Sequence, residues 1–219
     1  MKKGGLICFT GLDGSGKTTQ AEKLLNTLKK KNIDAIYSWS RREPYLIKPI
    51  VTLVKKILKE SSKSEGKDYL NIKKKRKRRL FKYPLFQKMW ISIAIVDYLA
   101  KLFFQIYVPF YKGKVVICDR YIPDMIADFA ANFDYNNYQI KKLFKNPLLR
   151  MFPKPDKYFY IKVPANLGYK RKLDDTSFEY LSEREKIYNF LAKEMNMVVI
   201  NGTQDIDNVF EKIKVEMRI

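Results

Sequence analysis

One octapeptide constrains this chain more than anything else in it: Gly11-Leu-Asp-Gly-Ser-Gly-Lys-Thr18. It fits the phosphate-cradling pattern G-x-x-x-x-G-K-[ST] without a mismatch. The apolar run Leu6 to Thr10 before it has strand character. After it, Ala21, Leu24, Leu25 and Leu28 recur at helical spacing. The loop therefore joins a strand to a helix, the context in which its chemistry works. Gly11, Gly14 and Gly16 allow backbone dihedrals that other residues avoid, so successive N–H groups can turn toward an anion. The helix N-terminus adds about half a positive charge. Lys17 can reach the outer phosphates of a nucleoside triphosphate, and the Thr18 hydroxyl suits Mg²⁺. Gly11, Gly14, Ser15, Gly16, Lys17, Thr18 and Thr19 are thus the expected triphosphate site.

Composition narrows the chemistry further. The 219 residues contain no histidine, which excludes Ser-His-Asp hydrolysis and imidazole relays. Phosphoryl transfer needs neither, because positioning and charge neutralisation carry it. Lys and Arg outnumber Asp and Glu by 44 to 23, a formal net charge of +21. Such a field draws anions without choosing among nucleotides, nucleic acid and acidic membrane. Cys8 and Cys118 both lie in apolar runs and read as buried free thiols. No signal-peptide pattern is visible, and a reduced, cytoplasmic protein is expected.

Along the chain, strands are expected at 6–10, 33–38, 114–118, 156–163 and 197–201. Helices are expected at 18–30, 45–60, 122–132, 137–145, 164–172, 178–194 and from about 205 to 218. Strands alternating with helices imply an α/β fold: a five-stranded, mostly parallel sheet with helices on both faces. A single domain over 1–219 is the simplest organisation, with a short lid at about 170–180. Residues 61–80 form a polar and then basic segment. Its run 73–79 is unbroken Lys and Arg and reads first as solvated, with nucleic acid or anionic membrane as less favoured partners. The apolar stretch 89–108 carries Asp97, Lys101 and Gln105 every fourth residue, which argues against a membrane span. It reads as a covered helix with one functional or wet edge, and a homodimer contact could supply part of the cover.

Ligands in such sheets bind beyond the carboxyl ends of the strands. Arg41 and Arg42 leave the second strand there. The third strand ends in Asp119-Arg120-Tyr121, where Asp119 can serve Mg²⁺ and Arg120 can bridge donor and acceptor phosphates.

The ordered set Gly11 to Gln20, Arg42-Glu43-Pro44, Val115 to Tyr121 and Pro155-Asp156 before an apolar strand resembles the thymidylate kinase family. Phe178-Glu179, with Tyr188 further on, resembles the segment after that family's lid. The similarity runs over nearly the whole chain. It implies a P-loop kinase fold, ATP and Mg²⁺ as cofactors, and dTMP-like nucleotide substrates. It implies that Asp13 lies near the acceptor's sugar and phosphate, that Lys17 and Thr18 serve the donor, and that Arg42 and Glu43 border the acceptor. It matches Arg120 to the arginine at the transferring group, with Asp97 and Tyr121 on the acceptor side. Arg171 is the nearest candidate for a lid arginine, since Ser15 leaves the P-loop without one. The acceptor half departs from the family's pattern. Ala94 stands where a stacking Phe is usual, Tyr98 where an Arg is, and Asp124, Asp128 and Phe129 where Ser and then Tyr-Gln are.

The leading expectation is ATP- and Mg²⁺-dependent transfer to a nucleoside monophosphate. A kinase of the same fold acting on another phosphorylated or hydroxylated metabolite is an alternative. A third is an ATP-switched P-loop protein that binds nucleic acid or membrane.

Overall fold

A computed structural model describes residues 4–41, 45, 48–49, 84–171 and 177–219. Arg42, Glu43 and Pro44 lie outside them. So do most of the helix expected over 45–60, the segment 61–80 with its basic run, and residues 172–176 of the expected lid.

The chain divides into two compact units, Met1–Arg41 with Phe103–Ile219, and Arg42–Leu102. The first is built on five strands: β1 (Leu6–Thr10), β2 (Ala35–Trp39), β3 (Val115–Asp119), β4 (Lys157–Lys162) and β5 (Val198–Asn201). Their order is β2-β3-β1-β4-β5, and every pairing is parallel. All of β1 is buried, as expected for a central strand covered on both faces.

Side chains alternate across the sheet. Ile7, Phe9, Ile117, Phe159 and Ile161 point into one layer, where α1 (Lys17–Lys30) contributes Ala21, Leu24 and Leu28. The C-terminal helix, Ile206–Met217, adds Val209, Phe210 and Ile213 to the same cluster. On the other face the ring of Tyr160 stacks on Tyr188, with centroids 5.9 Å apart.

The remaining helices of this unit follow the sequence pattern, except that Pro147–Arg150 forms a short helix where none is expected. They are α4 (Ile122–Phe133), α5 (Asn137–Phe144), α6 (Pro147–Arg150), α7 (Ala165–Arg171), α8 (Phe178–Glu194) and α9 (Ile206–Met217); the numbering leaves α2 for Pro84–Leu102 and α3 for Val108–Tyr111. Caps explain several boundaries. Asn136 and Gln139 form a reciprocal capping box, Ser177 caps α8, and the Asp205 carboxylate accepts from the N–H groups of Asp207 and Asn208.

Four expectations need correction. The second strand begins at Ala35, not Ile33, because Asn32 takes a left-handed φ of 57° and Ile33 N–H bonds back to Leu28 O at 3.0 Å. That is a helix C-cap, so Ile33 belongs to the end of α1. The fourth helix runs on past Asn132 and stops at Asp134, whose φ is 52°. The stretch 89–108 is not one regular helix: α2 ends at Leu102, and Phe103–Tyr107 forms a π-helical turn before α3. Its polar stripe is not a wet edge, since Asp97 and Lys101 are buried. The second unit contains α2, where the Asp97 carboxylate accepts from Tyr45 N–H at 2.8 Å. Lys88–Tyr111 is long and apolar enough by composition to cross a membrane, but these buried charges and the π-turn suit a covered helix better.

The packing makes a direct prediction. Leu24→Ala should destabilise the fold by about 2–5 kcal/mol in urea unfolding. Val215→Ala, at a side chain 75% exposed, should stay within about 0.5 kcal/mol. Equal losses would contradict this core.

Candidate active site

The P-loop leaves the carboxyl end of β1 and folds back over it. Gly11, Gly14 and Gly16 all have positive φ, at 146°, 79° and 86°. Space as well as dihedral demands glycine at two of them. A Cβ on Gly11 would stand 2.6 Å from Ile161 O, and one on Gly14 would stand 2.8 Å from Gly168 O. The loop is therefore clamped between β4 and α7. Gly16 is the left-handed N-cap of α1 and supplies no side-chain cap. The first-turn N–H groups of α1 are left for an anion. Ser15 Oγ is buried without a hydrogen-bond partner among the described residues.

Lys17 is buried, and its ammonium donates to Leu12 O at 2.9 Å, with Asp13 at 3.7 Å. Burial, and then the neighbouring Arg120 charge, lower its pKa to about 8, against the opposing pull of Asp13 and Asp119. Thr18 and Thr19 are exposed at the loop's outer side.

Parallel register fixes what faces the loop. Phe9 is the partner of Asp119, so β3 delivers Asp119 and Arg120 beside Gly11. The Thr18 hydroxyl donates to Asp119 Oδ2, as does Tyr37 OH at 3.0 Å. Asp119 Oδ1 is buried without a hydrogen-bond partner among the described residues. Arg120 takes a φ of 77°, a conformation that costs a non-glycine residue about 1–3 kcal/mol and persists only where its surroundings enforce it. Here they do. Its N–H bonds to Phe9 O at 2.9 Å. Its Nη2 donates to Asp13 and its Nη1 to Asp124 at 3.2 Å. Burial opposes the charge on Arg120, but Asp124, Tyr188 and Asp13 outweigh it and hold the guanidinium charged.

Asp124, in the first turn of α4, is the buried centre of a larger network. Its Oδ1 accepts from Arg120 Nη1 and from Tyr188 OH at 2.8 Å. Its Oδ2 accepts from Thr10 Oγ1 at 2.9 Å and Tyr121 N–H at 3.1 Å. Burial pushes its carboxyl pKa up, against the pull of Arg120 and Lys17. One turn further along α4, Asp128 accepts from Arg184 of α8, and that guanidinium lies over the Tyr180 ring, 4.5 Å from its centroid.

On the other side of the loop lies a cavity of about 610 Å³, lined by Gly14, Thr19, Gln20, Arg171, Gly202 and Asp205 among others. Arg171 Nη1 donates to Gly202 O at 2.9 Å across its wall.

The structure thus gathers Asp13, Lys17, Thr18, Asp119 and Arg120 at the carboxyl edge of β1 and β3, with Arg171 at the cavity rim. Tyr121 is a correction. Its ring is buried beside Tyr158 and its hydroxyl donates to Pro153 O at 3.1 Å, so it is a core group that offers only its backbone N–H to the site. Asp97, Ala94 and Tyr98 lie on α2 in the second unit. Phe129 is buried. Tyr37 gave no sequence signal, being one more apolar-run residue in a strand. Asp124 showed only as a departure from a family pattern, although an acid four residues after an arginine at a helix start is a readable pairing.

No family model matches the chain. Curated relatives do, over nearly full length. Thymidylate kinase of Plasmodium falciparum is 28% identical, covering 99% of this chain and 90% of the relative. Thymidylate kinase of Thermosipho africanus is 29% identical, covering 95% and 94%. That of Fervidobacterium nodosum is 27% identical, covering 94% and 95%. With its all-parallel sheet and its P-loop set beside Asp119-Arg120, the chain is similar to thymidylate kinases over nearly its whole length.

Proposed function

We propose that this protein transfers the γ-phosphoryl group of ATP to the phosphate of dTMP, giving dTDP and ADP. The observation that carries the reading is the meeting of the P-loop with Asp119-Arg120 in a chain that is similar to thymidylate kinases over nearly its whole length. In this reading the amides of Gly14 to Thr18 and the Lys17 ammonium cradle the donor phosphates. The cavity beside Arg171 and Gly202 takes the rest of the donor. Arg120, braced between Asp13 and Asp124, presents its unused N–H groups to the acceptor phosphate. Asp13 orients the acceptor. Arg171 is the candidate for charge neutralisation from the lid side. An arginine so used contributes on the order of 10³–10⁵ in rate. The dimer contact would run along α2, where Leu85, Met89, Ile93 and Val96 are exposed.

Mg²⁺ fits the residues present. Thr18 Oγ1 and the buried, unpartnered Asp119 Oδ1 are hard oxygen donors at the loop. No group of three or more His, Cys, Asp or Glu is placed to hold a metal ion by itself among the described residues. Mg²⁺ suits such a sparse site, because it keeps waters and takes its other ligands from phosphate oxygens. Thr18 and Asp119 would hold it, and when bound it neutralises charge on the phosphates.

The test is product analysis of the purified chain with ATP, Mg²⁺ and a panel of monophosphates. dTDP and ADP should form together, and Lys17→Ala should lower kcat/KM on the order of 10²-fold or more. Transfer to a different monophosphate, with none to dTMP, would move the acceptor. A second prediction concerns pH. Below about 8 the Lys17 ammonium is charged, and above it the group loses its proton. ATP affinity measured by calorimetry should therefore weaken as pH rises through about 8. Lys17→Arg, which stays protonated, should show a flat profile over the same range.

A further inference from the structure

Arg120 cannot hold its place by its own backbone preference, since its φ of 77° is disfavoured. Its side chain is gripped at both ends of the fork, Nη2 by Asp13 and Nη1 by Asp124. The grips differ. Asp13 belongs to the loop, is partly exposed, and also lies 3.7 Å from Lys17. An arriving phosphate can compete with it for Arg120. Asp124 is buried, and each of its oxygens accepts two hydrogen bonds. A carboxylate has about four acceptor positions, so all of them are filled. Three of the four donors come from fixed points: the end of β1 through Thr10, the backbone of Tyr121, and α8 through Tyr188. Asp124 therefore cannot follow Arg120 if the guanidinium swings, and it cannot be reached by a competing anion.

Helix register strengthens the brace. Asp124 and Asp128 occupy one face of α4 at i, i+4 spacing, and Arg184 and Tyr188 do so on α8. Two rungs join them, Asp124 to Tyr188 and Asp128 to Arg184. A shift of either helix would break both.

We propose that Asp124, locked by Tyr188, is a positioning residue for phosphoryl transfer: it fixes the Arg120 guanidinium toward the P-loop when the acceptor phosphate competes with Asp13 for it. The inference rests on the function proposed above.

A mutant cycle on kcat tests it. Asp124→Asn keeps the shape but cannot accept four bonds. It should lower kcat by roughly 10- to 100-fold, the scale of a misplaced group, with KM for ATP near the wild-type value. In an Arg120→Ala background the same substitution should cause no further loss, because Asp124 acts through Arg120. Tyr188→Phe should lower kcat less, and nothing more once Asp124 is Asn. If Asp124→Asn fails to fold, Tyr188→Phe with and without Arg120→Ala gives the same cycle. Losses that multiply in the double variant would overturn the positioning role while leaving the kinase reading intact. So would a fall in melting temperature with kcat unchanged. A wild-type chain that makes no dTDP would overturn the kinase reading itself, and this inference with it.

Discussion

Parallel pairing of β1 with β3, Phe9 opposite Asp119, is the constraint on which the rest depends. It sets the end of one strand, where the P-loop begins, beside the end of another, where Asp119 and Arg120 emerge. Neither strand could shift by one residue without turning Asp119 to the other face of the sheet. The clamp on the loop has the same origin. Gly11 lies against β4 and Gly14 against α7, so both flanks of β1 shape the anion cradle. A helix terminus and three glycines become a site only because the sheet holds them in that frame.

Electrostatics then follows from burial. Lys17 and Arg120 are neighbouring cations, each taken largely out of water. Such a pair survives only with carboxylates around it. Asp13, Asp119 and Asp124 supply them, and the network closes through Thr10, Tyr37 and Tyr188. The two cations respond differently. Arg120 has two carboxylates in contact and stays charged. For Lys17, burial and then the nearby Arg120 guanidinium lower the pKa to about 8, although Asp13 at 3.7 Å pulls the other way. A bound triphosphate would restore the charge on Lys17, which makes the ligand part of the site's own balance.

Much of this was legible in the sequence, for definable reasons. The P-loop and Asp119-Arg120 are local signals, each within one strand and its turn. Helix α8 could be bounded at 178 and 194 because Ser177 caps it and apolar residues recur on one face. The start of the second strand is not legible, because Ile33 looks like strand but serves a helix cap, a matter of one left-handed dihedral at Asn32. Tyr121 reads as a site residue next to Arg120, yet its extended backbone turns the ring into the core. The Asp124–Tyr188 contact spans 64 positions. It depends on how α4 and α8 pack against each other, which periodicity alone does not encode.

The proposed function requires that the triphosphate cradle and the acceptor phosphate's place at Arg120 form one continuous site. Calorimetry with a bisubstrate mimic, adenosine and thymidine joined through a polyphosphate bridge, tests it most directly. The mimic should bind more tightly than ATP or dTMP alone, and Arg120→Ala should remove the advantage. Binding no tighter than that of ATP, unaffected by Arg120→Ala, would contradict it.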